Sequence, residues 1–383
     1  MEVDELEYIL TEKQKKIIER VEKVAKKFRD RAFEIDMKRK FPFQNIKELK
    51  EIGYNKLTLP QRFGGEGEGL LTFLYCQEVI AKYCGSTALA IGWHNMTVFE
   101  LSKSGLWDPS ILAPLFKEMN DGKLINRAAT EKATGSPTRG GVPRTTAVRN
   151  GNHWTLNGRK TYTSLAPVLD IILVSAWVPE DECVGWFIVH KNLPGVKIEE
   201  TWDMIAMQGT GSHDLILDHV QVNSEDYAEK STRKTPNGAL LHIPACYIGI
   251  AHAARDYCIA YTKSYTPNSL TVPISQLPHI QAKMGKMELE LLESRYFLYS
   301  VALKWETNPD LRDHMAKELG AVKISIMNHA MSIVDKAMRI VGAQSLAREN
   351  PLSRYYCDIR AGLHNPPMED ATIQLLAKSA LEE

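Results

Sequence analysis

The chain has 383 residues, 44% of them hydrophobic, which suffices for one large domain or two or three smaller ones. Lysine plus arginine and aspartate plus glutamate are equal at 47 each, so there is no basic surplus of the kind that nucleic-acid-binding proteins show. No apolar run approaches the roughly eighteen residues that a membrane-spanning helix needs. We therefore expect neither a nucleic-acid partner nor a membrane partner.

The N-terminus and the cysteines bear on the cellular compartment. The chain begins Met-Glu-Val-Asp-Glu-Leu-Glu, which is acidic where a secretory signal would be basic and then apolar. The six cysteines form no C-x-x-C pair and show no regular spacing, so reduced and mostly buried thiols are expected. These features predict a cytoplasmic protein without a metal site.

The first third of the chain has a helical pattern. Residues 11–35 carry a Lys/Glu-rich amphipathic stripe, residues 45–52 repeat it, and residues 70–104 are densely apolar with helical period. The glycine-rich connection at 64–69 has two interpretations. It could be a phosphate-binding loop, but it lacks the Lys-Ser/Thr of a P-loop and a preceding βαβ unit, so an ordinary loop is favoured.

The sequence changes near Gly122 to strand-like segments. Asn157-Gly158 is a strong two-residue hairpin signal inside 153–162, and Pro194-Gly195 predicts a further turn. Other predicted strands cover 170–178, 185–189 and 215–222. Several short strands flanked by helices predict a central β-sandwich or small barrel.

Helical character returns after about residue 237. We expect helices at 242–263, 281–305, 313–341 and 368–381, with 267–278 as a loop and 348–360 with Pro366-Pro367 as a connection. The two longest helices are apolar on more than one side, which indicates a bundle and subunit packing. The fold class is therefore α+β, with an N-terminal helical domain (1–121), a central β-domain (122–228) and a C-terminal helical bundle (229–383).

Two polar clusters flank the first predicted strands. Thr130 with Gly135-Ser136 forms one, and Thr163-Ser164 forms the other. This arrangement suits a flat, hydrogen-bonding ring held against the face of a sheet. The alternative is that these are only hydroxyls at strand ends.

Several segments, in this order, resemble the acyl-CoA dehydrogenase superfamily over nearly the whole chain. They are Leu59-Pro60 with Phe63-Gly64-Gly65, Ala129-Thr130-Glu131 with Gly135-Ser136, Leu156-Asn157-Gly158 with Lys160 and Tyr162, Pro194-Gly195-Val196, Gly209-Thr210-Gly211-Ser212, and Val220 with Val222. The resemblance implies FAD lying between the β-domain and the C-terminal bundle, and it implies a flavin oxidoreductase.

The resemblance also implies site residues around the flavin. Thr130 can donate to a flavin carbonyl oxygen, Ala129 leaves space for the ring, and Ser164 can donate to flavin N5, where negative charge develops. Tyr162 stands where the family usually has Trp and keeps an aromatic face for stacking. The remaining contact residues implied on this side are Gly135, Ser136 and Thr163.

A C-terminal segment matches the part of the family that approaches the FAD of a neighbouring subunit. It contains Arg339, which can compensate pyrophosphate charge although the family more often has Gln there, and Gly342-Ala343, which permit close approach. The resemblance thus implies a homotetramer built from dimers.

The implied reaction, in fatty acid metabolism, is α,β-dehydrogenation of an acyl-CoA thioester. A carboxylate removes the α-proton, a hydride passes to flavin N5, and an electron-transfer partner reoxidises the flavin. Glu369 is the first candidate for the base and Asp370 the second. The alternative is that both acids only stabilise the N-terminus of the last helix.

Some departures from the family pattern affect the substrate side. Tyr265-Thr266-Pro267-Asn268 replaces Arg-x-x-Phe-Gly, and Leu240 stands near the place of an Arg that helps to bind CoA. Leu363-His364-Asn365-Pro366 is similar to the Leu-His-Asp-Pro of flavin monooxygenases with the same fold, which use reduced flavin, here FMN, from a separate reductase. In that alternative His364 acts near the flavin. His94 could line the same pocket, although a core role is favoured for it. A third reading is a flavin-free helical scaffold.

Overall fold

The computed structural model describes residues 9–134, 141–230 and 236–382, and all structural statements below concern these residues. The N-terminal region contains α1 (Glu12–Ala25), α2 (Phe28–Met37), α3 (Phe43–Glu51), α4 (Leu70–Tyr83), α5 (Gly85–Lys103) and α6 (Pro109–Asn120). Thr11 caps α1, because its hydroxyl accepts from the Gln14 N–H while the Gln14 side chain accepts from the Thr11 N–H. None of the described helices is long and apolar enough to cross a membrane.

The glycine-rich connection before α4 is a structural loop. The carboxylate of Glu306 occupies the N-terminus of α4, where its Oε2 accepts from the Leu71 N–H at 3.0 Å. A Cβ at Gly69 would overlap the same carboxylate. Because a protein carboxylate already fills the place where a phosphate would bind, the structure supports the ordinary-loop interpretation.

The central region is one hydrogen-bonded sheet of eight strands in the described residues. Its order is β6–β7–β3–β2–β4–β5–β8, and β1 pairs with β4 as well. The strands are β1 (Ile125–Ala128), β2 (Thr146–Asn150), β3 (His153–Thr163), β4 (Ile171–Val178), β5 (Cys183–His190), β6 (Val196–Glu199), β7 (His213–Asn223) and β8 (Tyr227–Lys230).

The predicted hairpin turn at Asn157-Gly158 is wrong. Both residues lie inside β3, and the pairing of β3 with β7 shifts register there, which marks a β-bulge. The Asn157 side chain accepts from the His219 N–H at 2.8 Å, and a Cβ at Gly158 would overlap Thr145. The chain turns instead at Gly151, which has a φ of +59°. Asn157-Gly158 therefore forms a bulge, and β3 continues to Thr163.

The C-terminal region contains α7 (His242–Ser264), α8 (Pro278–Thr307), α9 (Ala316–Val341), α10 (Pro351–Ala361) and α11 (Glu369–Leu381). The prediction of a connection at 348–360 is wrong, since most of it is α10. Asn350 caps this helix by accepting from the Leu352 N–H at 3.0 Å, and Pro351 occupies its first turn. The predicted order of helical, β and helical regions is confirmed.

Glu78 on α4 is a buried carboxylate that joins three helices. Its Oε1 lies 3.0 Å from Arg295 Nε on α8 and 3.1 Å from His252 Nε2 on α7, and the Tyr299 hydroxyl donates to Oε2 at 2.6 Å. Burial alone would raise the pKa of this carboxyl, but Arg295 and the other partners hold it at about 2. The carboxylate is therefore charged throughout the neutral range.

We predict that Glu78→Gln destabilises the fold by about 3 kcal/mol, because it leaves the Arg295 guanidinium without its buried counter-charge. Denaturant unfolding of the purified variant measures this. Glu34→Gln is the control, since Glu34 is an exposed partner of Lys38 and its loss should change stability little. Equal unfolding midpoints for the two variants would contradict the role of Glu78.

Candidate active site

The end of β3 carries an unusual backbone. Tyr162 has a φ of +58° and Leu165 a φ of +67°, both in the left-handed region that bulky residues rarely adopt. Tyr162 is 52% exposed, and the Trp202 ring stands edge-on to it with centroids 6.0 Å apart. Strain of this kind concentrates at functional sites. Here the strained backbone presents an aromatic face to open space.

The turn that carries Thr130 is fixed to β3. The Thr130 carbonyl accepts from the Thr161 N–H at 2.9 Å. The next residue, Glu131, is buried and accepts from the ammonium of Lys160, also buried, at 2.7 Å. Its two oxygens also accept from the Thr145 hydroxyl at 2.7 Å and from the backbone of Arg144 and Thr145. Thr130 and Tyr162 are thus held on adjacent segments.

The cost of burying the charges of Glu131 and Lys160 is offset by their partners. Burial would raise the pKa of Glu131, but the Lys160 ammonium and the Thr145 hydroxyl hold it at about 2. Burial lowers the pKa of Lys160, and Glu131 opposes that shift. The Lys160 ammonium also donates to the Ser175 hydroxyl at 3.2 Å. We take the pair as ionised, because each charge has its counter-charge and further hydrogen bonds.

A chain of hydroxyls runs inward from Ser164. Ser164 Oγ lies 2.8 Å from Ser212 Oγ, which lies 2.8 Å from Thr210 Oγ1, and Thr210 donates to the Met207 carbonyl at 2.9 Å. A carbonyl can only accept, so the Thr210 hydrogen is used by Met207. It follows that Ser212 donates to Thr210 and that Ser164 donates to Ser212. In this arrangement the Ser164 hydrogen points to Ser212. The prediction that Ser164 donates to flavin N5 stays a prediction.

The other predicted residues of this face are placed less uniformly. Ala129 and Thr130 are partly exposed, whereas the Thr163 side chain is buried and its Oγ1 has no hydrogen-bond partner. Gly135 and Ser136 lie outside the described residues.

Asp358 joins the C-terminal bundle to the hydroxyl chain. This α10 residue is buried, and its Oδ1 accepts from the Met207 N–H at 2.6 Å. Burial raises the pKa of Asp358 to about 7, while the hydrogen bond from Met207 opposes the shift. The loop that supports Ser164 is thus anchored by a carboxyl group that titrates near neutrality.

The predicted subunit-contact residues lie at the end of α9. Arg339, Gly342 and Ala343 are exposed, and the Arg339 guanidinium pairs with Asp335 at 2.6 Å. Gly342 has a φ of +76°, and a Cβ there would meet nothing within 4 Å. This segment is free in the single chain to approach another molecule.

The predicted base faces an open cavity at the start of α11. Glu369 and Asp370 occupy the first turn of this helix and are exposed. They line a cavity of about 620 Å³ together with His364 and Met368. The structure thus brings the carboxylate of one hypothesis and the imidazole of the other into the same cavity.

His94 is a core residue, as favoured from sequence. Its Nε2 lies 2.8 Å from the Asn55 carbonyl, and its Nδ1 accepts from the Ile125 N–H at 3.0 Å. These bonds require the neutral tautomer with hydrogen on Nε2. Burial lowers its pKa to about 4. His94 holds β1 against α5 and is not available in a pocket.

Sequence reasoning missed several residues that build the site. Asn126 donates to the Ser164 carbonyl at 3.0 Å, and Trp202 donates from its indole to the Met207 carbonyl at 3.1 Å. Trp202 carried a weak signal, as a lone Trp in a polar loop. Asn126 and Asp358 carried none, because only the tertiary fold buries them.

Comparison with known proteins decides the family. The acyl-CoA dehydrogenase N-terminal, middle and C-terminal domain models match residues 11–105, 126–220 and 237–363. A Bacillus subtilis (strain 168) protein, YdbM, whose name assigns it to the acyl-CoA dehydrogenases, is 48% identical over 98% of this chain and 99% of its own. The chain belongs to the acyl-CoA dehydrogenase family. It is therefore a flavin-dependent oxidoreductase.

Two solved structures show the same fold. Butyryl-CoA dehydrogenase from Megasphaera elsdenii has a TM-score of 0.84 at 20% identity and covers 100% of both chains. KijD3 in complex with FMN and an amino-keto-deoxysugar nucleotide has a TM-score of 0.85 at 20% identity, covering 97% of this chain and 95% of its own. At this identity the likeness concerns the fold alone.

We predict that Lys160→Met weakens flavin binding at least tenfold, because the unpaired Glu131 no longer fixes the Thr130 turn to β3. Titration of the apoprotein with flavin, followed by flavin fluorescence, measures the dissociation constant. The control is Arg159→Met, which removes the neighbouring exposed cation that pairs with Asp214 and Glu199. Wild-type affinity in the Lys160 variant would sink the proposed anchoring role.

A second prediction concerns Asp358 and pH. The pKa of Asp358 in the folded state, about 7, lies above the ordinary value near ~3.9. Its contribution to the free energy of unfolding is therefore fully present below pH ~4 and is lost as the pH rises through about 7. Asp358→Asn keeps an acceptor for Met207 and should remove this loss, on the order of 4 kcal/mol. Unfolding midpoints across that range test it; the same pH slope in variant and wild type would contradict it.

Proposed function

We propose that this family member dehydrogenates an acyl-CoA thioester at its α,β carbons. The observation that carries the proposal is the placement of Glu369. Its carboxylate faces the open cavity that follows α10, and α10 itself holds the flavin-side loop through Asp358. Helix α10 thus connects the Glu369 carboxylate with the loop that supports Ser164, beside the aromatic face of Tyr162. The names of YdbM and of butyryl-CoA dehydrogenase support this reaction.

The residues at the end of β3 fit a flavin. Tyr162 offers an exposed aromatic face for stacking, and Thr130 has a side chain with no hydrogen-bond partner in the described residues. The backbone of Ala129 and Thr163 can contact the ring edge, with Gly135 and Ser136 as further contacts. FAD, when bound, supplies the hydride acceptor. Ser164, at the end of the same segment, would donate to flavin N5 when its hydroxyl turns away from Ser212.

Glu369 would act as the base that removes the α-proton. It is exposed in the single chain, so the bound substrate must exclude water from it. Such exclusion would favour transfer of the α-proton to the carboxylate. Asp370, beside it on the first turn of α11, is the second candidate. Both carboxylates lie at a helix N-terminus, which stabilises them while the cavity is open.

The proposal includes a homotetramer in which Arg339, Gly342 and Ala343 complete the FAD site of a neighbour. Their exposure in the single chain leaves them free for that contact. An electron-transfer partner would reoxidise the flavin. We place the enzyme in the cytoplasm and in fatty acid metabolism.

A second candidate function is a monooxygenase that takes reduced FMN from a separate reductase. The observation in its favour is that His364 lines the same cavity as Glu369, while Glu369 is exposed and not desolvated. Leu240, which stands near the family's CoA-binding Arg, also favours a substrate other than CoA. The FMN complex of KijD3 shows that this fold accommodates FMN.

Anaerobic titration of the flavin-loaded enzyme with acyl-CoA separates the two functions. We expect the flavin to bleach with wild type and to stay oxidised with Glu369→Gln, because the amide cannot take the α-proton. Glu382→Gln, at the other end of α11, is the matched control and should bleach normally.

Two other outcomes are informative. Bleaching lost in Asp370→Asn but retained in Glu369→Gln would move the base to Asp370. If no acyl-CoA bleaches the flavin, while reduced FMN and oxygen support substrate oxidation that His364→Gln abolishes, the dehydrogenase proposal fails and the monooxygenase replaces it.

A further inference from the structure

A second, smaller cavity lies between the start of α7, the start of α9 and the loop before α11. Its volume is about 190 Å³, and most of its wall is apolar, formed by Leu240, Leu241, Pro244, Leu319 and Pro367. An apolar cavity of about 150 Å³ can hold a benzene molecule. This cavity can therefore contain a molecule slightly larger than benzene.

One cation lines this cavity without a protein partner. Lys323 on α9 is 2% exposed, and no described residue forms a hydrogen bond or ion pair with its ammonium. Lys160, the other buried lysine described above, has such partners in Glu131 and Ser175. An unpaired buried ammonium is costly unless it meets an anion or a hydrogen-bond acceptor. The cavity beside Lys323 is the space where such a group can sit.

The side chain of Asn237, the other polar residue of the wall, already has hydrogen-bond partners. Asn237 accepts from the Ala239 N–H at 2.9 Å and donates to Glu100 at 3.1 Å. Glu369 is the acidic residue whose charge acts on Lys323, but it is exposed and does not pair with it. Lys323 is thus the one donor among the described lining residues that remains for a ligand.

We propose that this cavity binds a small monocarboxylate, of about the size of benzoate, whose anionic group pairs with Lys323. The apolar wall receives the body of the ligand, and the buried ammonium receives the carboxylate. A neutral molecule of the same shape fills the space but leaves the charge unpaired, so the site discriminates by charge. This cavity adjoins the proposed substrate site through Leu240 and the Pro367 loop, but binding of the anion requires no flavin chemistry.

The burial of Lys323 fits this assignment. Burial lowers the pKa of its ammonium, and Glu369 partly opposes the shift. A carboxylate in the cavity would stabilise the charged form, as Glu131 does for Lys160.

Isothermal titration of the full chain, as purified, with sodium benzoate and with benzamide tests the proposal. Wild type should bind benzoate at least tenfold more tightly than benzamide. Lys323→Met, which removes the charge but keeps an unbranched apolar side chain and should fold at least as stably, should lose benzoate affinity at least tenfold without weakening benzamide binding. Lys317→Met is the control, because Lys317 lies on the same helix but bonds to Ser379 outside the cavity.

A second variant separates charge from shape. Ala316 lines the cavity at the first position of α9, so Ala316→Phe should fill it and abolish binding of both probes. The proposal is overturned if benzoate does not bind wild type, if it binds no better than benzamide, or if Lys323→Met binds it equally well. These readouts need no turnover, so a failure here is distinguishable from a failure of the dehydrogenase assignment.

Discussion

Two charges removed from water, on Glu131 and Lys160, lie 2.7 Å apart between the Thr130 turn and β3. Each would be costly alone, and together with the Thr145 and Ser175 hydroxyls they are satisfied. The pair holds the turn that follows β1 against the last residues of β3. The aromatic face of Tyr162 and the hydroxyl of Ser164 then take their positions from β3.

The hydroxyl chain and Asp358 extend this constraint into the C-terminal bundle. Ser164 is ordered by Ser212 and Thr210, and the loop that carries them is bonded to α10 through Met207. Because α10 leads directly into the loop with His364 and Glu369, the proposed flavin side and the proposed substrate side share this helix as a support. Catalytic geometry depends on such support more than on the reacting groups alone.

Much of the fold could be predicted from sequence, since helix periodicity and apolar strands are local signals. α7, α8, α9 and α11 fall within a few residues of their expected bounds. The misassignments have physical reasons. Asn-Gly suits a bulge as well as a turn, and the close approach of Thr145 to Gly158 decided between them. α10 was obscured because its Asn350-Pro351 start resembles a loop.

The site was less predictable. Thr130, Tyr162 and Ser164 are proposed as site residues because they carry family motifs, but the hydroxyl neighbours of Ser164 appear only in the fold. Lys160 in β3 belongs to a family motif and Lys323 in α9 carried no signal, and only tertiary packing shows that both are buried. Charged side chains are rarely fully buried. Sequence patterns therefore assign them to the surface and locate buried ones least well.

The apolar core has a consequence for how this protein could evolve. One cluster of buried side chains runs without interruption through all three regions, from Val21 through Leu156 to Ile326. The N-terminus of α4 is also closed by Glu306, which comes from the end of α8. The three regions therefore share one apolar core. Exchange of one region between relatives would have to rebuild the packing of both others, which favours gradual substitution within a conserved whole.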